Sequence, residues 1–543
     1  MFLIKAWDVK YVNKGQSVFT YDAFGYYIYL PGTIIYHDIG KYEWLDSINE
    51  EYHLLGNHIY QLHDCPNGNK VAKYYLGTAL MQLPFFLVAD VYCRYSDKYK
   101  RDGFSAPYNV SIHIAGLVYM ILGLFILAKV LTVYFEAKVV NLTLISIALA
   151  TNILQYAVFK SGMSHVYLFF LYPLMLYLVI KWNKNPNLNT SIGIGVLIGL
   201  VALIRPTDGL IFLIPLLWRY DFGYIYSPQF LKKYRRQILA TVLAVIITFI
   251  PQFIYWKLIT GNWIYDVGSK WVFLNPWWRV LFGWEKGWFI YTPIVTFGIL
   301  GLFFSKKYDF HKAILWFTLI NIWIVISWFE WTYGASYSSR ALSQSLPILA
   351  LPMAVFYHKM KTKSWLIALV LIASFINIFQ IYQYNLTILH YEKMNRLYYS
   401  RIFLNPHPTA YDMSTLDNPI YFDTLKYEKQ DVIKVQNSEL NQSNFSVPIA
   451  NGASFATVKL LLASTPCFWD GKLSYSLILG ENSTSDPHQI PYLNPLTKPD
   501  TSNYYEFAVK CDPTKEGNII IEVGCDEMEN PLNETISVTF WRQ

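Results

Sequence analysis

Asp22 is the carboxylate whose setting suits chemistry. It lies in FTYDAFGYYIYLPGTIIYHD, inside an aromatic run just before an amphipathic stretch broken by Pro31-Gly32. A carboxylate walled by rings at a membrane surface can take the proton of a sugar hydroxyl, although a helix N-cap or an ordinary loop acid would read the same way. Five isolated cations stand with it: Lys73, Arg205 in RPTDG, Arg279 and Lys286 in NPWWRVLFGWEKGW, and Arg340 in SYSSR. Arginine grips phosphate oxygens in bidentate fashion and lysine meets them as a point charge. Such a pocket suits a leaving phosphate, on which negative charge grows as its bond breaks. Arg205 and Arg340 lead because each closes an apolar segment, and Arg279 and Lys286 come second; interfacial snorkelling accounts for any of them equally well. His165, after Met163-Ser164, has no partner at ligand spacing, so it is either structural or a hydrogen-bond partner for sugar or phosphate. Trp331 and Tyr333 in WTYG fit the C–H face of a sugar, and they fit interface anchoring just as well.

These residues need a scaffold, and composition says which kind. The 543 residues are 54 % apolar and 18 % aromatic, too apolar for a soluble globular chain of this size. A polytopic membrane protein follows, with most of the 44 Tyr and 18 Trp serving as anchors or core. Stretches of near-spanning length fall at 109–134, 139–159, 165–182, 190–204, 207–218, 238–259, 288–305, 312–329, 343–358 and 364–384. The fourth and fifth are split at Arg205-Pro206, because a charge followed by proline argues for a boundary. With that split, Lys181 and Lys184, the LKKYRRQ run, Lys306, Lys307 and Lys312, and Lys359, Lys361 and Lys363 share one side, which the positive-inside rule makes cytoplasmic.

The loops carrying Asp22, Lys73, Arg205, Arg279, Lys286 and Arg340 are then all extracytoplasmic. Gathering ionisable groups at one face builds a site there. One loop opposes the scheme, since 94–107 holds Arg94, Lys98, Lys100 and Arg101 yet is assigned outside. The run 73–92, with Pro84 and Asp90, is accordingly expected to form an interfacial or re-entrant pair of segments. Met1 to Ile4 is too short an apolar run for a cleavable signal peptide.

Beyond residue 400 the character changes. That part carries 10 Lys and Arg against 18 Asp and Glu, while the chain as a whole is +7. The basic remainder is explained by cytoplasmic loops, and no nucleic-acid or nucleotide signature accompanies it. Short alternating runs, SFATVKLLLA, KLSYSLIL, YYEFAVK, NIIIEV and ISVTFW, predict a β-sandwich after a linker. The expected organisation is a first extracytoplasmic loop at 1–107, a helical membrane core at 108–385, a linker at 386–404 and a β-rich domain at 405–543. No cysteine pair has metal-ligand spacing, and Cys467, Cys511 and Cys525 allow one disulfide in an oxidising compartment.

The series YDAFGYYIYLP, KYYLGTALMQLPFF, DGFSAPY, TNILQYA leading to MSH, IGLVALIRPTDGL, LFGWEKGWFIYTP and WTYGASYSSR resembles the GT-C superfamily of polyprenyl-phosphate-sugar-dependent glycosyltransferases. Within it the likeness is to the bacterial branch related to protein O-mannosyltransferases and lipid A aminoarabinose transferases. It covers roughly residues 15–345. The resemblance implies an all-α polytopic GT-C fold of about ten to twelve transmembrane helices, with Asp22 as catalytic base and Lys73 near the lipid phosphate. The chain departs from the pattern in three places. Ala23 stands where mannosyltransferases add a Glu, the prolines of a Lys-Pro-Pro-like motif are missing after Lys73, and Met1 to Ile4 stand where the end of a preceding membrane helix belongs. A divalent metal is used by some relatives and not by others, and no carboxylate cluster here demands one.

The reading is a membrane glycosyltransferase taking a sugar from a polyprenyl-phosphate-linked donor to a hydroxyl of a glycan, lipid or protein, with inversion, on the outer face of the cytoplasmic membrane. The rivals are a transporter or flippase of lipid-linked sugars, which mid-helix charges would mark, and a non-catalytic anchor for a C-terminal binding domain.

Overall fold

The computed structural model describes residue 17 onward, apart from 55–58, 267, 274–276, 393, 409–411, 413–414, 417–427, 437–443, 463–471, 480–481, 484–503, 512–513, 515, 525–531 and 543. Met1 to Ile4 and the cysteines at 467 and 525, with any disulfide those cysteines form, lie outside the described residues. The chain divides into two compact units, one comprising 1–282, 287–333 and 338–377, the other 283–286, 334–337 and 378–543.

The first unit is helical and multi-pass in character. Among the described residues four helices are long and apolar enough to cross a membrane: Ala106–Leu131, His165–Lys184, Pro228–Thr260 and Ser364–Asn385. At 1.5 Å per residue the 26 residues of the first exceed a hydrocarbon core of about 30 Å. Shorter apolar helices accompany them, among them Ala137–Leu149, Leu188–Ile204, which packs on Pro228–Thr260, Val295–Phe304, which packs on Leu346–Lys359, and His311–Ser327. Local chemistry sets their ends. Pro228 occupies the first turn of the 33-residue helix, Ser227 Oγ accepts from Phe230 N at 3.2 Å, and Gly261 closes it at φ 79°. Leu188–Ile204 starts on Asn187, which accepts from Thr190 N at 2.9 Å. It stops at Arg205, whose extended backbone is what a residue before proline requires, and a 3₁₀ turn runs from Pro206 to Phe212.

Residues 73–92 are a correction. In place of two segments, a single helix Gly77–Arg94 runs straight through Pro84. A mid-helix proline removes one hydrogen bond and need not end a helix that is packed on a neighbour. Asp90 does not break it either. Its carboxylate is buried against Arg101 (2.9 and 3.0 Å), Arg94 (3.4 Å) and the Tyr108 hydroxyl (2.9 Å), and Lys100 pairs with Glu51 at 2.5 Å. Arg94, Arg101 and Lys100 of the basic cluster that opposed the charge rule are thus held in ion pairs with Asp90 and Glu51.

Before that helix, strands β1 (Leu62–Asp64) and β2 (Lys70–Ala72) form an antiparallel hairpin, with Leu62 opposite Ala72. It is docked on the end of Pro228–Thr260. Tyr255 OH accepts from Ala72 N at 2.8 Å, and Asn67 and Asn69 both donate to the Ile259 carbonyl.

The second unit holds the C-terminal strands as two four-stranded antiparallel sheets, the two-sheet organisation read from the sequence. In the first, β3 (Glu428–Gln436), β10 (Leu532–Arg542), β5 (Phe455–Leu462) and β8 (Tyr504–Lys510) lie in that order. The other runs β4 (Asn444–Pro448), β9 (Gly517–Gly524), β6 (Lys472–Leu479), β7 (Asn482–Ser483). Register places Val538 against Val458 and Phe540 against Ala456, and all four are buried, the period of two that hides one face of a sheet.

Candidate functional site

Asp22 opens a short helix, Asp22–Tyr27, and its carboxylate is met from three directions. Oδ1 accepts from the hydroxyls of Tyr60 and Tyr74, each at 2.6 Å, and Oδ2 accepts from Arg340 Nη2 at 2.5 Å. The hairpin positions both phenols. Its ladder continues with Lys73 N donating to Gln61 O at 2.9 Å, so the register sets Tyr60 opposite Tyr74 at the open end. Tyr74 can lie over the Asp22 helix because residue 25 is glycine; a Cβ there would fall 2.1 Å from the Tyr74 ring. Gly25→Ala is expected to push that ring off Asp22 and cut activity about tenfold, the scale of one hydrogen bond to a charged group. Unchanged kinetics in the alanine variant would show that Tyr74 does not support the carboxylate.

Burial alone would raise the Asp22 pKa. The Arg340 charge, the two phenols and the Arg340 hydrogen bond outweigh it, and the carboxyl is held at about 2. Burial and the same carboxylate push Tyr60 and Tyr74 upward, so both remain protonated donors.

Behind this pair lies a second one. Arg205 Nε is 3.5 Å from Asp208 Oδ2, and its guanidinium sits 5.8 Å from the centroid of Tyr333. Asp208 is buried and also accepts from Tyr172 OH (2.6 Å) and from Gln344 Nε2 (3.1 and 3.3 Å). Gln344 lies one turn beyond Arg340 in the 3₁₀ segment Arg340–Ser345, and its Oε1 is 3.0 Å from Nδ1 of the buried His165. With the amide oriented to serve Asp208, His165 Nδ1 is the donor. Nε2 is left as a lone-pair acceptor with no partner among the described residues. Such an atom suits a sugar hydroxyl and not a phosphate oxygen, which has no proton to give.

The other sequence candidates are dispersed. Lys73 Nζ lies 5.7 Å from the centroid of Tyr60, against a ring that touches Asp22. Tyr333 is buried, its hydroxyl on the Val325 carbonyl (3.0 Å) and its ring on Trp328 and Arg205, so it walls the arginine; Trp331 is partly buried. Arg279 is exposed on the short helix Trp277–Phe282, over Trp278 at 5.6 Å. Lys286 belongs to the second unit and is buried, donating to the carbonyls of Ser336 (2.8 Å) and Tyr391.

Sequence reasoning missed Tyr60, Tyr74, Asp208 and Gln344. Asp208 had a signal, since it stands three residues after Arg205 across a proline turn. It also missed Lys160, considered below. The two carboxylates do not form a cation site in this arrangement. Their oxygens accept from Tyr60, Tyr74 and Arg340, or from Tyr172, Gln344 and Arg205, and a divalent ion would have to sit against a guanidinium in either place.

No protein-family model matches the chain, and no curated protein matches it in sequence. In shape it is similar to glycosyltransferases of the GT-C fold. One is ArnT from Cupriavidus metallidurans in the apo state, at 12 % identity and a TM-score of 0.43, covering 74 % of this chain and 67 % of that one. Another is the oligosaccharyltransferase AglB from Archaeoglobus fulgidus in complex with an inhibitory peptide and a dolichol-phosphate. There the identity is 11 % and the TM-score 0.37, with 78 % of this chain and 58 % of that one covered. The chain thus spans little more than half the length of the oligosaccharyltransferase.

Proposed function

We propose that this membrane protein is a glycosyltransferase that moves a sugar from a polyprenyl-phosphate-linked donor to a hydroxyl acceptor on the outer face of the cytoplasmic membrane. The observation that carries the reading is the carboxylate–guanidinium pair of Asp22 and Arg340. It is set between two phenols, beside a second arginine, on a body of apolar helices. Asp22 removes the proton of the acceptor hydroxyl, whose oxygen attacks the anomeric carbon as the C1–O bond to phosphate breaks. One displacement of this kind inverts the anomeric centre. Arg340 and Arg205 meet the growing charge on the departing phosphate, and His165 Nε2 accepts from a sugar hydroxyl.

Held at about 2, Asp22 is a weak base in the resting site. The donor's phosphate competes for Arg340, and a carboxylate released from that partner becomes more basic. Donor binding therefore precedes acceptor activation. This order has a kinetic signature. The acid limb of kcat, which reports the loaded enzyme, is expected at higher pH than that of kcat/KM, which reports the resting one. Coincident limbs would exclude the ordering.

The test of the function itself is a mass-spectrometric comparison of surface glycans and polyprenyl-phosphate-linked sugars in cells with and without the protein. Loss of one glycan residue together with accumulation of its lipid-linked donor is the expected result. If neither pool changes, the reading fails in favour of an anchor; if the lipid-linked sugar accumulates only on the cytoplasmic side, it fails in favour of a flippase. The sidedness has its own check. Reporters fused near residues 53 and 407 should be active outside, and one fused near Lys361 inside.

A further inference from the structure

The segment from Phe159 to Ser164 connects the short helix Ile153–Val158 to the span that begins at His165, and it is held tightly. Lys160 N donates to Gln155 O (3.1 Å), Met163 N to Lys160 O (3.0 Å), Gln82 Nε2 to Gly162 O (3.2 Å) and Tyr167 OH to Ser161 O (2.8 Å). It is seated on the turn that carries Asp22: a Cβ at Gly162 would lie 2.4 Å from Val18 O and 2.9 Å from Ala23 Cβ, and Ala23, Tyr156 and Met163 share one small apolar cluster. Lys160 is therefore presented beside the site by a rigid loop. It is open to solvent, yet surrounded by enough protein that burial pulls its ammonium below the usual lysine range, as in a recess. Among the described residues, the charge that acts on it is the like charge of Arg340. Among the described residues no carboxylate pairs with it.

Charge accounting shows what this ammonium is for. Arg340 is countered by Asp22 and Arg205 by Asp208. Lys73 lies against the Tyr60 ring and pairs with neither carboxylate. Lys160 is left as an unbalanced positive charge at the inner site. We propose that Lys160 binds the phosphate of the lipid-linked donor and keeps the site electrically balanced through the transfer. The assignment rests on the transferase reading above. A donor phosphodiester carries one negative charge, which Lys160 matches. In the reaction the acceptor O–C1 bond forms, the C1–O bond to phosphate breaks, and the acceptor proton goes to Asp22. Asp22, released by Arg340 when the donor binds, loses its charge as the leaving phosphate gains a second one. With Lys160 counted, the charges balance both before and after the step; the comparison with Lys73 decides which lysine supplies that charge.

The experiment measures binding of polyprenyl monophosphate to the full chain in lipid nanodiscs, from pH 5 to 8, for wild type, Lys160→Met, Lys160→Arg and Lys73→Met. A phosphate monoester takes its second charge near pH 6, so wild-type affinity should rise through that range. Lys160→Met should bind roughly ten- to a hundredfold more weakly and lose most of the rise, the scale of one charge-assisted contact. Lys160→Arg should retain both, and Lys73→Met should lose less than Lys160→Met. Equal binding and equal pH slope in Lys160→Met would overturn the assignment while leaving the transferase reading standing, as would a larger loss in Lys73→Met. A wild-type protein that does not bind the lipid phosphate would overturn both. Should the methionine variant fail to fold, a flat wild-type pH profile would still count against the proposal.

Discussion

Asp22→Asn is expected to reduce sugar transfer by about a hundred- to ten-thousandfold, the usual contribution of a positioned general base, while leaving a folded protein that still binds the lipid donor. The substitution preserves shape. Asn Oδ1 can accept from Tyr60 and Tyr74 as Asp22 does, so the phenols keep their places. What is lost is the negative charge, with it the ability to carry a proton away, and the acceptor for Arg340, which the Asn amide meets with a donor. Stability should respond through the same group, and the sign is fixed by its pKa. Asp22 is held at about 2 in the folded protein against 3.8 unperturbed, so its contribution is complete above the unfolded value and disappears as pH falls through the folded one. The size is about 2 kcal/mol at neutral pH. Thermal unfolding in detergent should show the stability difference between wild type and Asp22→Asn closing by this increment between about pH 4 and 2. A variant retaining more than a tenth of wild-type transfer would remove Asp22 from the role of base.

The parts of the site legible in the sequence were those where a charge interrupts an apolar run. Arg205 and Arg340 could be found that way because an ionisable group at the end of a membrane segment is costly and seldom accidental, while Asp22 was read from the aromatic run around it and from the family resemblance. The same reasoning located the helices, since their lengths are set by hydrophobicity alone, and it found the C-terminal strands from their period of two. The partners were not legible. Tyr60 and Tyr74 are 38 and 52 residues from Asp22, and nothing distinguishes them from the other tyrosines of a chain that has 44. Their pairing depends on the register of a hairpin with three-residue strands. Lys286 misled for the opposite reason: its charge sits in an aromatic loop like that of a ligand-binding residue, yet its ammonium is spent on backbone carbonyls. The helix through Pro84 was hidden because local propensity favours a break there, and the ion pairs of Asp90 that stabilise the continuous form come from the following loop.

Arg340→Met should be more damaging to the fold than Asp22→Asn and equally damaging to transfer. Removing the guanidinium leaves a mostly buried carboxylate, one-fifth exposed, with two phenols as its only donors among the described contacts. Breaking a buried pair from one side costs on the order of 3–5 kcal/mol, because the remaining charge is uncompensated. Asp22 would then rise from about 2 toward the ordinary carboxylate range or above it, since burial, now opposed only by hydrogen bonds, pushes that way. By proton affinity alone, a more basic Asp22 would rescue catalysis. It should not, because Arg340 is also the group that receives the leaving phosphate, so the gain in proton affinity is set against the loss of transition-state stabilisation. The double variant Asp22→Asn/Arg340→Met separates the two effects. With no charge left to bury, it should recover most of the stability lost in Arg340→Met, a coupling visible in a thermal-unfolding double-mutant cycle, while transfer stays at the level of Asp22→Asn. Arg340→Lys should restore charge but not the two-pronged grip, giving near-wild-type stability with activity reduced roughly tenfold or more. If Arg340→Met instead transferred sugar within threefold of wild type, the pair would be structural only, and the phosphate would have to be met by Arg205 and Lys160 alone.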